Sequence, residues 1–174
     1  MQNMPPTIET ERLILRPFTM DDIAPSYEMN LDARIGKYTG DGGIVSLEEI
    51  ERRITEDVLG DYAKHGYGRW AVELKGVSKF IGFAGLKYLD DIKEVDVGYR
   101  LMYDHWGKGI ATEAATACLN FGFETLGLKR IIAMLLPDNA ASIRVLEKLD
   151  FQFEKEFTED GDLIHQYFLN NPNN

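Results

Sequence analysis

Cysteine is all but missing from this sequence: Cys118 stands alone among 174 residues. A single thiol cannot close a disulfide within the chain, so no disulfide framework staples the fold. Cys118 lies in an apolar stretch of helical spacing, which suits a buried structural thiol better than a nucleophile. Basic residues are scarce as well. Lys and Arg total 19 against 29 Asp and Glu, a net charge of −10, and a chain without a basic face is a poor partner for nucleic acid phosphates. The acidic excess serves solubility and favours cationic partners such as amines or basic peptides. Long apolar runs are absent too: no window approaches the roughly 18 residues that cross a bilayer. The opening residues 1–12 lack the basic region and apolar run of a signal peptide, so the expected location is the cytoplasm, with no membrane partner. His65, His105 and His165 stand 40 and 60 residues apart, without metal-ligand spacing, and no metal is expected.

What remains is ordinary globular material. Hydrophobic residues make up 44% and charged residues 28%, which suits one domain over residues 1–174. That length buries roughly two-thirds of the unfolded surface. Residues 1–8 and 170–174 are expected to fray. Residues 12–17 alternate as a first strand, which Pro17 ends. Thr19 or Asp21 can cap a helix reaching Asn30, and Ser46 with Glu49 makes a capping box for a second. Leu47, Ile50, Ile54, Val58 and Tyr62 keep the spacing of one buried helical face. The period then changes. Residues 68–74, 80–88 and 95–102 read as strands, and their connections are too short for crossovers, so they form an antiparallel meander. A helix over 109–126, a strand over 130–136, a helix over 139–149 and a hairpin of 151–157 with 164–169 complete the chain. Strand, helix, strand from 95 to 136 is a parallel crossover. The expected fold is α+β, one mixed and mostly antiparallel sheet of about seven strands flanked by about four helices.

Gly107-Lys108-Gly109 lies where a strand hands over to a helix. Two glycines let the backbone approach a ligand closely, and the first helical turn leaves N–H groups unpaired. Those donors and the positive end of the helix dipole make an anion site, with Lys108 adding a cation. A nucleotide P-loop is excluded: Lys108 is followed by Gly109, and Met102 stands where its first glycine would be. A dinucleotide fingerprint fits poorly, because Thr112 replaces the third small residue and the unit comes late in the chain. A glycine-rich connection without a ligand stays open on these residues alone.

Three further segments narrow the choice. Asp96-Val97-Gly98-Tyr99-Arg100-Leu101 followed by Trp106-Gly107-Lys108-Gly109-Ile110-Ala111-Thr112-Glu113-Ala114 resembles the cofactor motif of the GNAT superfamily of acyl-CoA N-acyltransferases. The run from Asn139 through Ser142 to Phe151 resembles that family's second signature. Thr10-Glu11-Arg12-Leu13-Ile14-Leu15-Arg16-Pro17 is typical of its RimJ/RimL-like branch. The resemblance implies acetyl-CoA as co-substrate and a sheet splayed between its fourth and fifth strands. It implies that Trp106 and the backbone of Gly107, Lys108, Gly109, Ile110, Ala111 and Thr112 hold the CoA pyrophosphate. Tyr99, Arg100 and Leu101 would pair with pantetheine amides as an added strand does. Asn139 would hydrogen-bond the pantetheine arm, and Lys148 would lie near the adenosine end. Two residues depart from the pattern: Trp106 stands where the family often has Gln or Arg, and Asp150 replaces the usual helix-ending glycine. Asp accepts that left-handed turn at some cost.

Acetyl transfer needs a neutral amine, a polarised thioester carbonyl and a proton for the departing thiolate. An α-amine of pKa about 7.7–8.0 is roughly 10–15% neutral at pH 7, and a lysine at about 10.4 under 0.1%. Only the lysine demands a strong base or a desolvating site. Asp96 and Glu94, on one face of the strand leading to the loop, are the first base candidates and Glu73 the third; each is otherwise a solvated strand charge. Many relatives place a tyrosine seven residues after the motif asparagine, and here that residue is Leu146. Ser142 matches a serine that the RimJ/RimL-like branch places near the sulfur and is the candidate proton donor; otherwise it bonds its own helical turn. A backbone N–H near Leu101 is the expected oxyanion donor. Tyr38, Tyr67 and Trp70, with a glycine-rich lid over 32–43, are the expected walls of an acceptor pocket, though core packing also suits Trp70. The resulting reading is an N-acetyltransferase, monomeric or homodimeric, acting by direct attack of a primary amine. The resemblance suggests a protein or peptide N-terminus as acceptor, and a small amine is the alternative. A non-catalytic acyl-CoA-binding module on the same fold is the rival.

Overall fold

The computed structural model describes residues 3–39 and 45–174. Its eight strands form one sheet in the order β1-β2-β3-β4-β5-β6-β8-β7. β1 (Ile8–Glu9) and β2 (Leu13–Arg16) make a tight hairpin, closed by Thr10 N–H donating to Leu13 O at 2.9 Å. β1 escapes a reading by alternation because two residues carry no period. β3 (Arg69–Leu74), β4 (Ser78–Leu89) and β5 (Glu94–Leu101) form the expected meander. β6 (Arg130–Leu135) lies parallel to β5, and β8 (Asp162–Asn170) enters antiparallel between β6 and β7 (Gln152–Glu159).

Helices cover both faces. α1 (Ile23–Asn30), the four-residue α2 (Ala33–Gly36), and α3 (Leu47–Arg52), which runs through a π turn (Arg53–Val58) into α4 (Leu59–His65), lie on one side. α5 (Ile110–Asn120), ending in a π turn (Phe121–Thr125), and α6 (Ala140–Lys148) lie on the other. Ser46 Oγ caps α3 by accepting from Glu49 N–H at 3.1 Å, as its sequence position requires. Ile50, Ile54 and Tyr62 are buried, whereas Leu47 in the first turn faces solvent.

The side of the sheet under α5 and α6 is packed by Leu13, Leu15, Trp70, Val72, Leu86 and Val97. Trp70 is 0% exposed, donates its indole N–H to Pro6 O at 2.9 Å and meets Phe121 edge-on at 5.1 Å. It is therefore core, as is Tyr67, and neither walls an acceptor pocket. Tyr38 is half-buried. Cys118 is fully buried, and burial pushes its thiol up to about 12. Near the C-terminal end Asn171 is buried and donates to Phe123 O and Leu128 O. Of the expected glycine-rich lid, Asp32 caps α2, and residues 40–44 lie outside the described residues. Among the described residues no helix is long and apolar enough to cross a membrane.

Candidate active site

β5 and β6 share a single rung, Asp96 with Ile132. Beyond it the two strands part, and the sheet splays between β5 and β6. Which groups face the opening follows from the antiparallel ladder on the other side. Met102 N–H donates to Ile81 O at 2.8 Å, and the β4–β5 register has no shift, so the even-numbered residues of β5 exchange bonds with β4. Alternation then turns the N–H and C=O of Tyr99 and Leu101 toward the gap. The Leu101 carbonyl accepts the Trp106 indole N–H at 2.8 Å. Tyr99 N–H, Tyr99 C=O and Leu101 N–H make up the edge offered to a strand-like ligand. Arg100 differs from its expected role. Its place in the alternation directs its backbone to β4, and its side chain donates to Asn30 Oδ1 on α1 at 2.6 Å.

At the end of β5 the chain turns through Tyr103–His105 into the glycine loop. Gly107 and Gly109 hold φ of 70° and 76°, a left-handed conformation that costs a non-glycine residue roughly 1–2 kcal/mol. Gly109 is the N-cap of α5 and supplies no side-chain cap. The helix's own bonds begin with Glu113 N–H to Gly109 O at 3.1 Å. The N–H groups of Ile110, Ala111 and Thr112 therefore have no carbonyl one turn back and point out of the helix start. Ile110 and Ala114 are buried and seat this end of α5 on the sheet, while Lys108 is exposed beside it. Orphan donors, the helix dipole and a lysine fit a diphosphate. His105, in the preceding turn, has a buried Nδ1 with no partner among the described residues, and burial followed by Lys108 lowers its pKa.

α6 closes the other side. Asn139 caps it, Oδ1 accepting from Ser142 N–H at 3.2 Å. The Ser142 hydroxyl does not fold back on its own turn; it bonds the Tyr99 hydroxyl at 2.9 Å, across 43 residues of sequence. Burial raises the Tyr99 pKa, the Ser142 bond opposing it. Leu146 is buried. Lys148 is exposed in the last turn, about 13 Å along the axis from Asn139. Asp150 adopts φ of 65°, the left-handed turn its position demands.

All three candidate carboxylates are tied to arginines. Asp96, 9% exposed, accepts from Arg69 at 3.0 Å. Glu94 is chelated by Arg130 of β6, and Glu73 bonds Arg16 at 2.7 Å. These partners lie on other strands, out of reach of any local pattern. Asp96 stands on the last shared rung, at the root of the splay, and Glu94 lies two residues deeper. On the opposite side of the sheet from α5, a cavity of about 210 Å³ is lined by Glu28, Asp32, Arg34, Met102 and Asp104 among others. The hydroxyl of Tyr99 is the site group that the sequence hid, since its backbone role drew attention from its side chain.

This geometry agrees with the comparisons to known proteins. Residues 12–152 match the family model described as an acetyltransferase (GNAT) domain. The chain is 32% identical over 152 residues to the uncharacterized N-acetyltransferase YoaA of Bacillus subtilis, covering 86% of this chain and 84% of that one. It is 28% identical over 165 residues to the spermidine N(1)-acetyltransferase of Escherichia coli, covering 90% and 78%. The structure of RimL, the ribosomal L7/L12 alpha-N-protein acetyltransferase, in complex with coenzyme A superposes with a TM-score of 0.79 at 18% identity, covering 95% and 98%. With its splayed sheet, its uncapped glycine helix start and a match over most of its length, the chain belongs to the GNAT acetyltransferase family and is an acetyl-CoA-dependent N-acetyltransferase.

Proposed function

We propose that the enzyme passes the acetyl group in one step from acetyl-CoA to a primary amine, and that the amine is the α-amine of a protein or peptide. Bound acetyl-CoA supplies an activated thioester. The observation that carries the reading is the Tyr99–Ser142 hydroxyl pair, which joins the open edge of β5 to the start of α6. Direct attack is supported because the one thiol, Cys118, is sealed in the core with a raised pKa and cannot carry the acetyl group.

The roles divide as follows. Leu101 N–H stabilises the developing oxyanion as the amine nitrogen bonds to the acetyl carbon. When the carbon–sulfur bond breaks, its electron pair leaves with sulfur, and a proton passes to it through the Ser142 hydroxyl, which takes one from solvent water in the same step. The amine proton leaves to Asp96, directly or through water. Arg69 occupies one oxygen of Asp96 and leaves the other for the amine proton, and an α-amine, partly neutral at pH 7, asks least of a base. Loop amides from Gly107 to Thr112 grip the pyrophosphate, Asn139 holds the pantetheine arm, and Lys148 faces the adenosine end.

A second reading, a small polyamine acceptor, is favoured by the spermidine-acetylating relative. The carboxylates Glu28, Asp32 and Asp104 around the α1–α2 cavity also favour it. Thiol release measured from pH 6.5 to 10 with peptides and polyamines separates the two. An α-amine acceptor gives kcat/KM that levels off near pH 8; a polyamine gives one that keeps rising toward pH 10. Cofactor binding without turnover on any amine would sink both.

A further inference from the structure

The opening Thr10-Glu11-Arg12 has no part in the transfer chemistry above, yet it reaches the pyrophosphate loop. These residues form the tip of the β1–β2 hairpin, and the tip is pinned: Lys75 N–H donates to Arg12 O at 2.9 Å and Lys75 Nζ to Thr10 O at 2.6 Å. From there the Arg12 guanidinium spans two targets. Its Nε bonds Glu113 Oε1 at 2.7 Å, and one terminal nitrogen donates to Lys108 O at 2.8 Å. The other Glu113 oxygen accepts Thr10 Oγ1 at 2.6 Å and Arg12 N–H at 3.0 Å. Glu113 is in the first turn of α5, and Lys108 lies between the two left-handed glycines.

We infer that Arg12 is a positioning residue for cofactor binding, a strut that fixes the glycine loop to the start of α5 so that their amides converge on the pyrophosphate. The inference rests on the acetyl-CoA reading and extends it. Two physical effects act together. The fork holds the Lys108 carbonyl away from the anion, which orients the peptide units on either side. Its charge also neutralises Glu113, whose carboxylate would otherwise oppose a diphosphate at the helix start. Global stability is not the main consequence: Arg12 is 40% exposed and Glu113 18%, and ion pairs open to solvent stabilise a fold little. What the strut sets is the shape of one loop.

The test compares Arg12→Ala and Arg12→Lys with the parent enzyme, using CoA binding by calorimetry and kinetics with acetyl-CoA and with S-acetylpantetheine, which lacks the pyrophosphate. Arg12→Ala should weaken CoA binding and raise KM for acetyl-CoA by about 10-fold, with kcat little changed. KM for S-acetylpantetheine should stay put. Arg12→Lys keeps the charge but cannot fork, so its loss should fall between the two, and this milder variant guards against misfolding of the alanine form. CoA affinity unchanged in both variants would overturn the inference, as would an equal loss with S-acetylpantetheine. If the parent enzyme itself does not bind CoA, the cofactor reading fails, and the strut with it.

Discussion

Replacing Gly109 with alanine separates the backbone's conformation from its chemistry. Gly109 holds φ of 76°, and an added Cβ would meet nothing nearer than the Arg12 guanidinium at 3.5 Å, an ordinary contact. Strain is then the whole steric effect, roughly 1–2 kcal/mol for a left-handed alanine. In a domain of this size that lowers Tm by about 2–8 °C. Strain of this kind relaxes by rotating the 108–110 peptides, which swings the orphan N–H groups off the pyrophosphate. Each charge-assisted bond lost is worth about 1.5–3 kcal/mol, or roughly 10- to 150-fold in affinity. Calorimetry with CoA should show at least the lower figure, while kcat/KM for S-acetylpantetheine tracks only the small stability change. If Tm falls as expected but CoA affinity stays within about twofold, the loop is a connection and not a cradle.

Ser142→Ala should lower kcat about 100-fold at unchanged KM for acetyl-CoA, and Tyr99→Phe, which removes one hydrogen bond, about 5-fold; a KM effect without a kcat effect would refute the proton-donor role. Asp150→Gly relieves the left-handed strain at the end of α6 and should raise stability by about 0.5–1 kcal/mol in denaturant melts; a loss would refute that assignment. Burial raises the Glu113 pKa, but bonds from Thr10 and Arg12 outweigh it and bring it below 4.5. The stabilisation from this carboxylate is therefore full above 4.5 and lost as pH falls through the lower folded value. The Tm gap between parent and Glu113→Gln should hold from pH 8 to 5 and close only below 4.5; a gap that closes above pH 5 would contradict the clamp.

The elements were readable where a period ran long enough. The meander, the crossover helix and the terminal hairpin all appear within a residue or two of their expected limits, because Gly, Asp and Pro punctuate clear alternation. β1 and α2 were not readable, at two and four residues. The splay is a single missing stretch of ladder between β5 and β6, and nothing in either strand's pattern announces it; family resemblance supplied it. In the site, the left-handed glycines and the uncapped start of α5 were legible because their geometry is local. Long-range partners were invisible. Arg69 lies 27 residues from Asp96, and Arg130 lies 36 from Glu94. Tyr99 meets Ser142 across 43, and Arg12 meets Glu113 across 101. Each pairing is made by tertiary packing, between strands or of a helix against the sheet, which the residue pattern leaves open.

Initial-velocity kinetics of thiol release, with acetyl-CoA and a peptide α-amine varied together, test the central claim most directly. Transfer in one step within a complex of enzyme, acetyl-CoA and amine predicts double-reciprocal lines that intersect. Parallel lines would mean that the acetyl group rests on the protein before the amine arrives, and would contradict direct attack.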